Sequence, residues 1–96
     1  MEITIRLFGM LGAMAGVRQV NLELPESACL LDVLEALQAR FGAQFGERLL
    51  RTPKALHTYV RVFVNDAEVT DLHSELAANG TPTEVSLLLL PAAEGG

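Results

Sequence analysis

The sequence predicts an α+β domain in which one main helix packs on one face of a sheet. Three observations lead to this prediction: apolar residues alternate in several short segments, one longer segment has helical spacing, and the order of segments is ββαβββ. Neither the helix nor the sheet hides its apolar side alone, so the two must pack together and leave the opposite face of the sheet open. A chain of 96 residues is long enough for one such core and too short for two.

The first two strands are predicted to form a hairpin with a long loop. The segment Glu2 to Phe8 alternates, and Val17 to Leu24 alternates again before Pro25 stops the pairing. Three glycines interrupt the stretch from Gly9 to Gly16, which we therefore interpret as a loop.

The segment Leu30 to Phe41 is predicted to be the main helix. Its apolar residues recur at helical spacing and form one stripe, while its charged residues face away. Ser27 or Cys29 is placed to cap the amino end, Asp32 suits the positive end of the helix dipole, and Gly42 is placed to end the helix.

A second hairpin is predicted after the helix. The connection Ala43 to His57 has a mixed pattern, in which Phe45, Leu49 and Leu50 suggest a short helical turn that Pro53 ends, and we interpret it as rich in loops. Tyr59 to Val64 then alternates as a strand, Asn65-Asp66 forms a turn, and Glu68 to Thr70 is a short partner strand.

The end of the domain is predicted to return the chain to the sheet. Leu72 to Ala78 is interpreted as one helical turn, Asn79-Gly80 reverses the chain, and Glu84 to Leu90 is the last strand. The apolar positions of all these segments predict a core that contains Ile3, Ile5, Leu22, Leu34, Leu37, Val62, Leu87 and Leu89.

The face of the sheet away from the helix is predicted to be the docking surface for a partner. Side chains on a strand alternate between two faces, so the residues between the inward positions point to the open side. An apolar patch rimmed by charge usually marks a binding surface on a small domain. The predicted patch consists of Arg6, Phe8, Arg61, Phe63, Leu88 and Leu90. The alternatives are that the connection Ala43 to His57, or a second copy of the chain, covers this face.

Composition and charge exclude several classes of function. Twelve acidic and seven basic residues give a net charge of −5, which argues against a nucleic-acid partner. No apolar run approaches the roughly 20 residues that cross a bilayer, and the single cysteine, Cys29, fits a reducing compartment, so we expect a cytoplasmic protein with no membrane partner. His57 and His73 lack neighbours at metal-ligand spacing, and we expect no metal, no bound cofactor and no catalytic residue.

The carboxyl end combines an apolar strand with a bare tail. Four leucines, Leu87 to Leu90, precede Pro91, which cannot donate to a sheet. We therefore divide the chain into a domain, residues 1–91, and a flexible tail, residues 92–96, that contains Glu94 and ends in Gly95-Gly96. A diglycine end has no side chains to obstruct a narrow channel, and its carboxylate is ionised at neutral pH. The carboxylate of Gly96 is thus a candidate nucleophile toward the α-phosphorus of ATP.

Residues along most of the chain form a recognisable set: Phe8, Leu11, Ala15 and Gly16, then Leu24-Pro25 before the helix, Asn65 after a valine-rich strand, and the Gly95-Gly96 end. Together with the ββαβββ order, they resemble the MoaD/ThiS family of sulfur carriers. The resemblance implies a ubiquitin-like β-grasp fold with a mixed sheet of four to five strands. It also implies that a ubiquitin-activating-type (ThiF/MoeB-like) enzyme adenylates Gly96 with ATP. A sulfurtransferase or cysteine desulfurase would then supply sulfur, and Gly96 would carry it as a thiocarboxylate to a downstream synthase.

The resemblance leaves several functions open. The long connection Ala43 to His57 departs from the short members of the family and is similar to longer carriers that serve cysteine or thiocarboxylate-siderophore pathways. The sulfur acceptor stays open among cysteine, thiocarboxylate-siderophore, molybdopterin and thiamine synthesis. One alternative is a ubiquitin-like modifier that ends in an isopeptide bond to lysine. A second is the small subunit of a molybdopterin synthase, and a third is an interaction domain with an inert tail.

Overall fold

The computed structural model of the protein describes residues 1–76 and 83–89. Within these residues the chain forms three helices, a five-stranded sheet and a two-stranded sheet. In chain order the elements are β1 (Glu2–Leu7), α1 (Met10–Ala15), β2 (Gln19–Glu23), α2 (Leu30–Phe41), α3 (Ala43–Leu49), β3 (Leu50–Thr52), β4 (Ala55–Leu56), β5 (Val60–Val64), β6 (Ala67–Glu68) and β7 (Thr83–Leu89).

The large sheet is mixed, as predicted, with strand order β2-β1-β7-β5-β6. The central pair, β1 and β7, is parallel, and the other three pairs are antiparallel. The last strand of the chain therefore lies in the middle of the sheet, between the first strand and the valine-rich strand β5.

The main helix α2 has the predicted bounds and buries the predicted stripe. Cys29 is its N-cap residue, and the Cys29 N–H donates to Asp32 Oδ2 at 2.9 Å. The segment that precedes β7 also closes this helix end, because the N–H groups of Leu30 and Leu31 donate to backbone carbonyls of Ser74 (3.1 Å) and Leu72 (2.8 Å). The donors that a helix leaves unpaired in its first turn are thus satisfied by a distant part of the chain.

The prediction of a loop-rich connection from Ala43 to His57 is wrong. This stretch contains α3 and the hairpin β3-β4. Phe45 and Leu49 are one helical turn apart and are 2% and 0% exposed, so the core side of α3 is apolar. The Phe45 ring also lies 5.3 Å from the Phe41 ring of α2, which shows that the two helices pack together.

Two other predictions also need correction, one of a loop and one of a helical turn. The glycine-containing stretch after β1 holds the short helix α1, which the fully buried Leu11 anchors to the core. Within the described part of Leu72 to Ala78, residues 72–76 form a turn and a β-bridge from Glu75 to Cys29 rather than a helical turn. Asn79-Gly80 lies outside the described residues.

The turn predicted at Asn65-Asp66 is confirmed. Both residues have positive φ, at 50° and 72°, as the two central residues of a type I′ hairpin turn require. The partner strand β6 is shorter than predicted and lies earlier in the chain. Asn65 also joins this hairpin to β7, because its Oδ1 accepts a hydrogen bond from the N–H of Glu84 at 2.9 Å.

Six of the eight predicted core residues are buried, and the other two, Leu22 and Leu89, are partly buried against the core. The sequence pattern did not identify several further members of the core, which come from α1, α3 and the segment before β7: Leu11, Phe45, Leu49, Leu72 and Leu76.

Candidate functional site

The end of β7 fixes where the chain leaves the sheet toward its terminus. Because β7 is parallel to β1, Leu87 lies opposite Leu7, and the N–H of Phe8 donates to the Leu87 carbonyl at 3.1 Å. On the other side, Leu89 lies opposite Val60 at the start of β5. We call this end of the sheet, bounded by Phe8, Leu89 and Val60, the exit end.

The predicted reactive residue, Gly96, lies outside the described residues, as do Gly95, Glu94 and Leu90. The structure nevertheless fixes the starting point of the terminal segment, since seven residues follow Leu89 in the sequence. A fully extended chain spans roughly 3.3–3.6 Å per residue, so the terminal carboxylate reaches at most about 25 Å from Leu89.

The register of the sheet places the five described residues of the predicted patch on one face. Arg6 and Phe63 both lie opposite Ser86, and Arg61 lies opposite Leu88. Phe8 continues the alternation of β1 beyond Arg6 and is 49% exposed. The core side chains of the same strands, such as Val62 and Leu87, point to the other face.

This open face is less apolar than predicted. Phe63 and Leu88 are half-buried rather than exposed, and Ser86 lies between Arg6 and Phe63. Two salt bridges further cover the surface with charge, from Arg6 Nε to Glu84 Oε2 and from Arg61 Nη1 to Glu68 Oε2, each at 2.6 Å. Exposed ion pairs of this kind contribute only about 0–1 kcal/mol, so an approaching partner separates them at little cost.

The exposed apolar side chains are instead found around α1, which the sequence pattern did not predict. Among the described residues, the large hydrophobic side chains that remain exposed are those of Phe8, Met10 (56%), Met14 (38%) and Val17 (41%). All four lie between positions 8 and 17. The sequence contains an indication of this surface, because residues 8–17 include more large apolar residues than a surface loop needs.

The histidines occupy structural or surface positions. The His57 ring stacks on Tyr59, with centroids 4.8 Å apart, and its Nε2 lies 2.8 Å from the carbonyl oxygen of Glu47. His73 is exposed. Within residues 1–76 and 83–89, no three His, Cys, Asp or Glu side chains are grouped so that they could hold a metal ion. In those two ranges there is also no helix long and apolar enough to cross a membrane.

Neither a protein-family model nor a curated protein matches the sequence. Solved structures do match the fold. SAMP1 of Haloferax volcanii superposes with a TM-score of 0.79 at 25% identity, over 99% of this chain and 100% of the other. The chain has the ubiquitin-like β-grasp fold of the MoaD/ThiS sulfur carriers.

Two further β-grasp structures cover the chain almost completely. One is in the BexX/CysO complex of Amycolatopsis orientalis, with a TM-score of 0.75 at 23% identity, over 96% of this chain and 99% of the other. The second is CysO of Mycobacterium tuberculosis, with a TM-score of 0.70 at 23% identity, over 93% of this chain and 99% of the other.

Proposed function

We propose that the chain is a sulfur carrier whose terminal Gly96 is adenylated and then carries sulfur as a thiocarboxylate. The observation that supports this proposal most is the combination of a β-grasp domain with a diglycine end only seven residues beyond its central strand β7. A β-grasp domain alone or a diglycine end alone would be weak support. Here the diglycine end follows the domain, which is the arrangement that such a carrier needs. The similarity to CysO structures supports the same assignment.

The proposed chemistry uses the carboxylate and no side chain of the carrier. A carboxylate oxygen of Gly96 attacks the α-phosphorus of ATP, the bond to pyrophosphate breaks, and an acyl adenylate forms. A persulfide on a sulfurtransferase or cysteine desulfurase then attacks the acyl carbon, and AMP leaves. A thiol of the donor reduces the resulting acyl disulfide, which releases the thiocarboxylate and leaves a disulfide on the donor. The reaction needs ATP and reduced thiols, so we assign it to the cytoplasm.

In this proposal the adenylating enzyme, of the ThiF/MoeB-like class, binds the open face of the sheet and receives the tail. Leu88 lies on this face one residue before the end of β7, so a partner that contacts Leu88 is already at the exit end. Leu90 would extend the same face by the period of two. A downstream synthase then accepts the sulfur. Among cysteine, thiocarboxylate-siderophore, molybdopterin and thiamine synthesis, the long connection that contains α3 favours the first two as the pathway of this synthase.

The experiment is an intact-mass measurement after incubation with ATP, the adenylating enzyme and a sulfur source. Replacement of one oxygen by sulfur supports the proposal. Oxidation of an exposed methionine such as Met10 adds almost the same mass, so the product must also react with an alkylating reagent at the carboxyl-terminal peptide. The variant Cys29→Ser removes the only side-chain thiol and keeps a good N-cap residue for α2. A mass unchanged beyond methionine oxidation, with no alkylation in this variant, contradicts the proposal.

A second candidate function is protein modification. It is favoured by the similarity to a structure titled small archaeal modifier protein 1 of H. volcanii, which has a TM-score of 0.79 at 23% identity. The same acyl adenylate would then end in an isopeptide bond to a lysine of another protein. Covalent adducts that resist reducing agent and depend on Gly96 would support this function, whereas a thiocarboxylate without such adducts supports the carrier alone.

A further inference from the structure

The exposed large apolar side chains of the described chain all lie on α1 or next to it in the sequence: Phe8, Met10, Met14 and Val17, called here together the α1 surface. Large apolar side chains that are scattered singly need no explanation, whereas a contiguous group on a small domain usually marks a binding site. Methionine is flexible and polarisable, and it is enriched at protein interfaces.

The fold holds this surface in a fixed position. Leu11 is fully buried and anchors α1, while Gly12 brings the helix against the end of β1. A Cβ on Gly12 would lie 3.0 Å from the Leu7 carbonyl oxygen and 3.4 Å from that of Val17, so the backbones approach as closely as a glycine permits. A groove runs beside the helix and is lined by Phe8, Gly9, Ala13, Gly16, Val17 and Arg18.

The α1 surface lies at the exit end. Phe8 belongs to both, since its N–H is bonded to the carbonyl of Leu87 near the end of β7. The seven residues after Leu89 span at most about 25 Å. An enzyme that holds the terminal carboxylate in its active site is thus tethered within this distance of the exit end, and α1, which carries the exposed methionines, contacts β7.

Positive charge flanks the apolar side chains. Arg18 lines the groove, and Arg48 of α3 lines a shallow depression together with Met14 and the acidic Glu47. Both arginines are exposed, and neither forms a salt bridge with another residue that the structure describes. In a chain of net charge −5, these arginines define a basic rim that complements carboxylates.

We propose that the α1 surface is a second docking site for the adenylating enzyme, which inserts an apolar side chain beside α1 and places carboxylates against Arg18 and Arg48. This inference rests on the proposed function, because the occupant is the enzyme that takes Gly96. The face of the sheet contributes only the half-buried Phe63 and Leu88 to recognition. The proposal adds the α1 surface, which shares Phe8 with that face.

The test measures ATP–pyrophosphate exchange by the adenylating enzyme of the source organism as a function of carrier concentration. The double variant Met10→Glu, Met14→Glu should raise KM by about tenfold or more with little change in kcat, because it removes contacts made on binding rather than in the chemical step. The matched control places two glutamates at exposed alanines elsewhere, Ala39→Glu and Ala67→Glu, and should change KM by less than about twofold.

A second variant keeps the apolar side chains and tests the rim. Arg18→Glu should raise KM at low salt, and added salt should reduce the difference from wild type, whereas Arg51→Glu on β3 makes the same charge change and should have a smaller effect. Circular-dichroism melts establish that each variant is folded.

The outcomes separate the two proposals. If the enzyme catalyses exchange with the wild-type carrier and KM is unchanged for the methionine double variant, the docking site is refuted and the proposed function is not. A lack of exchange with wild type overturns the proposed function and this inference with it. Sedimentation adds one further outcome: a wild-type dimer that the methionine variant abolishes, together with an unchanged KM, would assign the α1 surface to contacts between copies of the chain and overturn the proposal.

Discussion

Replacement of Leu34 by alanine should destabilise the domain strongly, because the structure places this side chain at the centre of the helix–sheet contact. Leu34 is 1% exposed and belongs to the same cluster as Ile5 and Leu87 on the facing strands. Truncation of a buried leucine costs about 2–5 kcal/mol through lost transfer energy and the remaining cavity. A domain of this size has a total stability of about 5–14 kcal/mol, so the loss is a large share of it.

The matched comparison is Leu89→Ala at the end of β7. Leu89 packs against the core but is only partly buried, so its truncation exposes a surface that water already reaches and leaves no closed cavity. We expect a loss of about 1–2 kcal/mol at this position. Leu34→Met keeps the apolar volume and should cost less than about 1.5 kcal/mol.

The measurement is urea unfolding followed by circular dichroism, with thermal melts as a second probe. At about 4–8 °C per kcal/mol for a domain of this length, a 3 kcal/mol loss at Leu34 lowers Tm by roughly 12–24 °C. The reasoning is refuted if Leu34→Ala costs well under 1 kcal/mol, or if Leu89→Ala costs more than Leu34→Ala, since either result would show that the helix does not pack on the sheet as described.

Three further predictions concern the tail, the open face and α1. Deletion of Gly96 should abolish adenylation and leave the melting curve unchanged, and normal pyrophosphate exchange by this variant would contradict the carrier proposal. The double variant Phe63→Glu, Leu88→Glu should weaken binding to the adenylating enzyme at least about tenfold while the domain remains folded; unchanged affinity in calorimetry would place the docking surface elsewhere. Gly12→Ala should cost about 1–3 kcal/mol in urea unfolding, because its Cβ meets the Leu7 carbonyl, and a gain in stability would show that this contact yields.

The main helix and the facing of the strands could be predicted from the sequence because both depend on periodicity over many residues. Five apolar residues mark the core side of Leu30–Phe41, and Gly42 ends it, so the signal is redundant. The alternation of apolar residues likewise predicted which side chains of β1, β5 and β7 face the core. A shift of the pairing by one residue would expose all of these core side chains.

The short helices could not be predicted in this way. In α3 only Phe45 and Leu49 mark the buried side, and Gly46 between them lowers helix propensity. Gly46 fits there because α3 packs closely on α2, where a Cβ would lie 2.6 Å from the Gln38 side chain. Tertiary packing therefore decides the conformation of this stretch, as the burial of Leu11 does for α1.

The chemistry of the candidate site stays a prediction, and its surface was predicted only in part. A terminal carboxylate after two glycines is read directly from the sequence. The exposure of side chains is not, because it depends on neighbours in three dimensions: Phe63 and Leu88 point to the open face as predicted but are half-buried there. Met10 and Met14 remain exposed because they do not lie on the side of α1 that buries Leu11 and Gly12.

Under the proposed function, in which the reactive group is at the chain end, the central position of β7 has a mechanical consequence. A partner that holds the tail in its active site pulls on β7 along the strand. An edge strand would resist this pull with hydrogen bonds on one side, whereas β7 is paired on both sides, in parallel with β1 and antiparallel with β5. The Phe8–Leu87 hydrogen bond extends the pairing to the exit end. In the proposed function the tail could therefore be bound tightly without displacement of the strand. Selectivity among partners would then depend on the two proposed docking surfaces, the open face and the α1 surface.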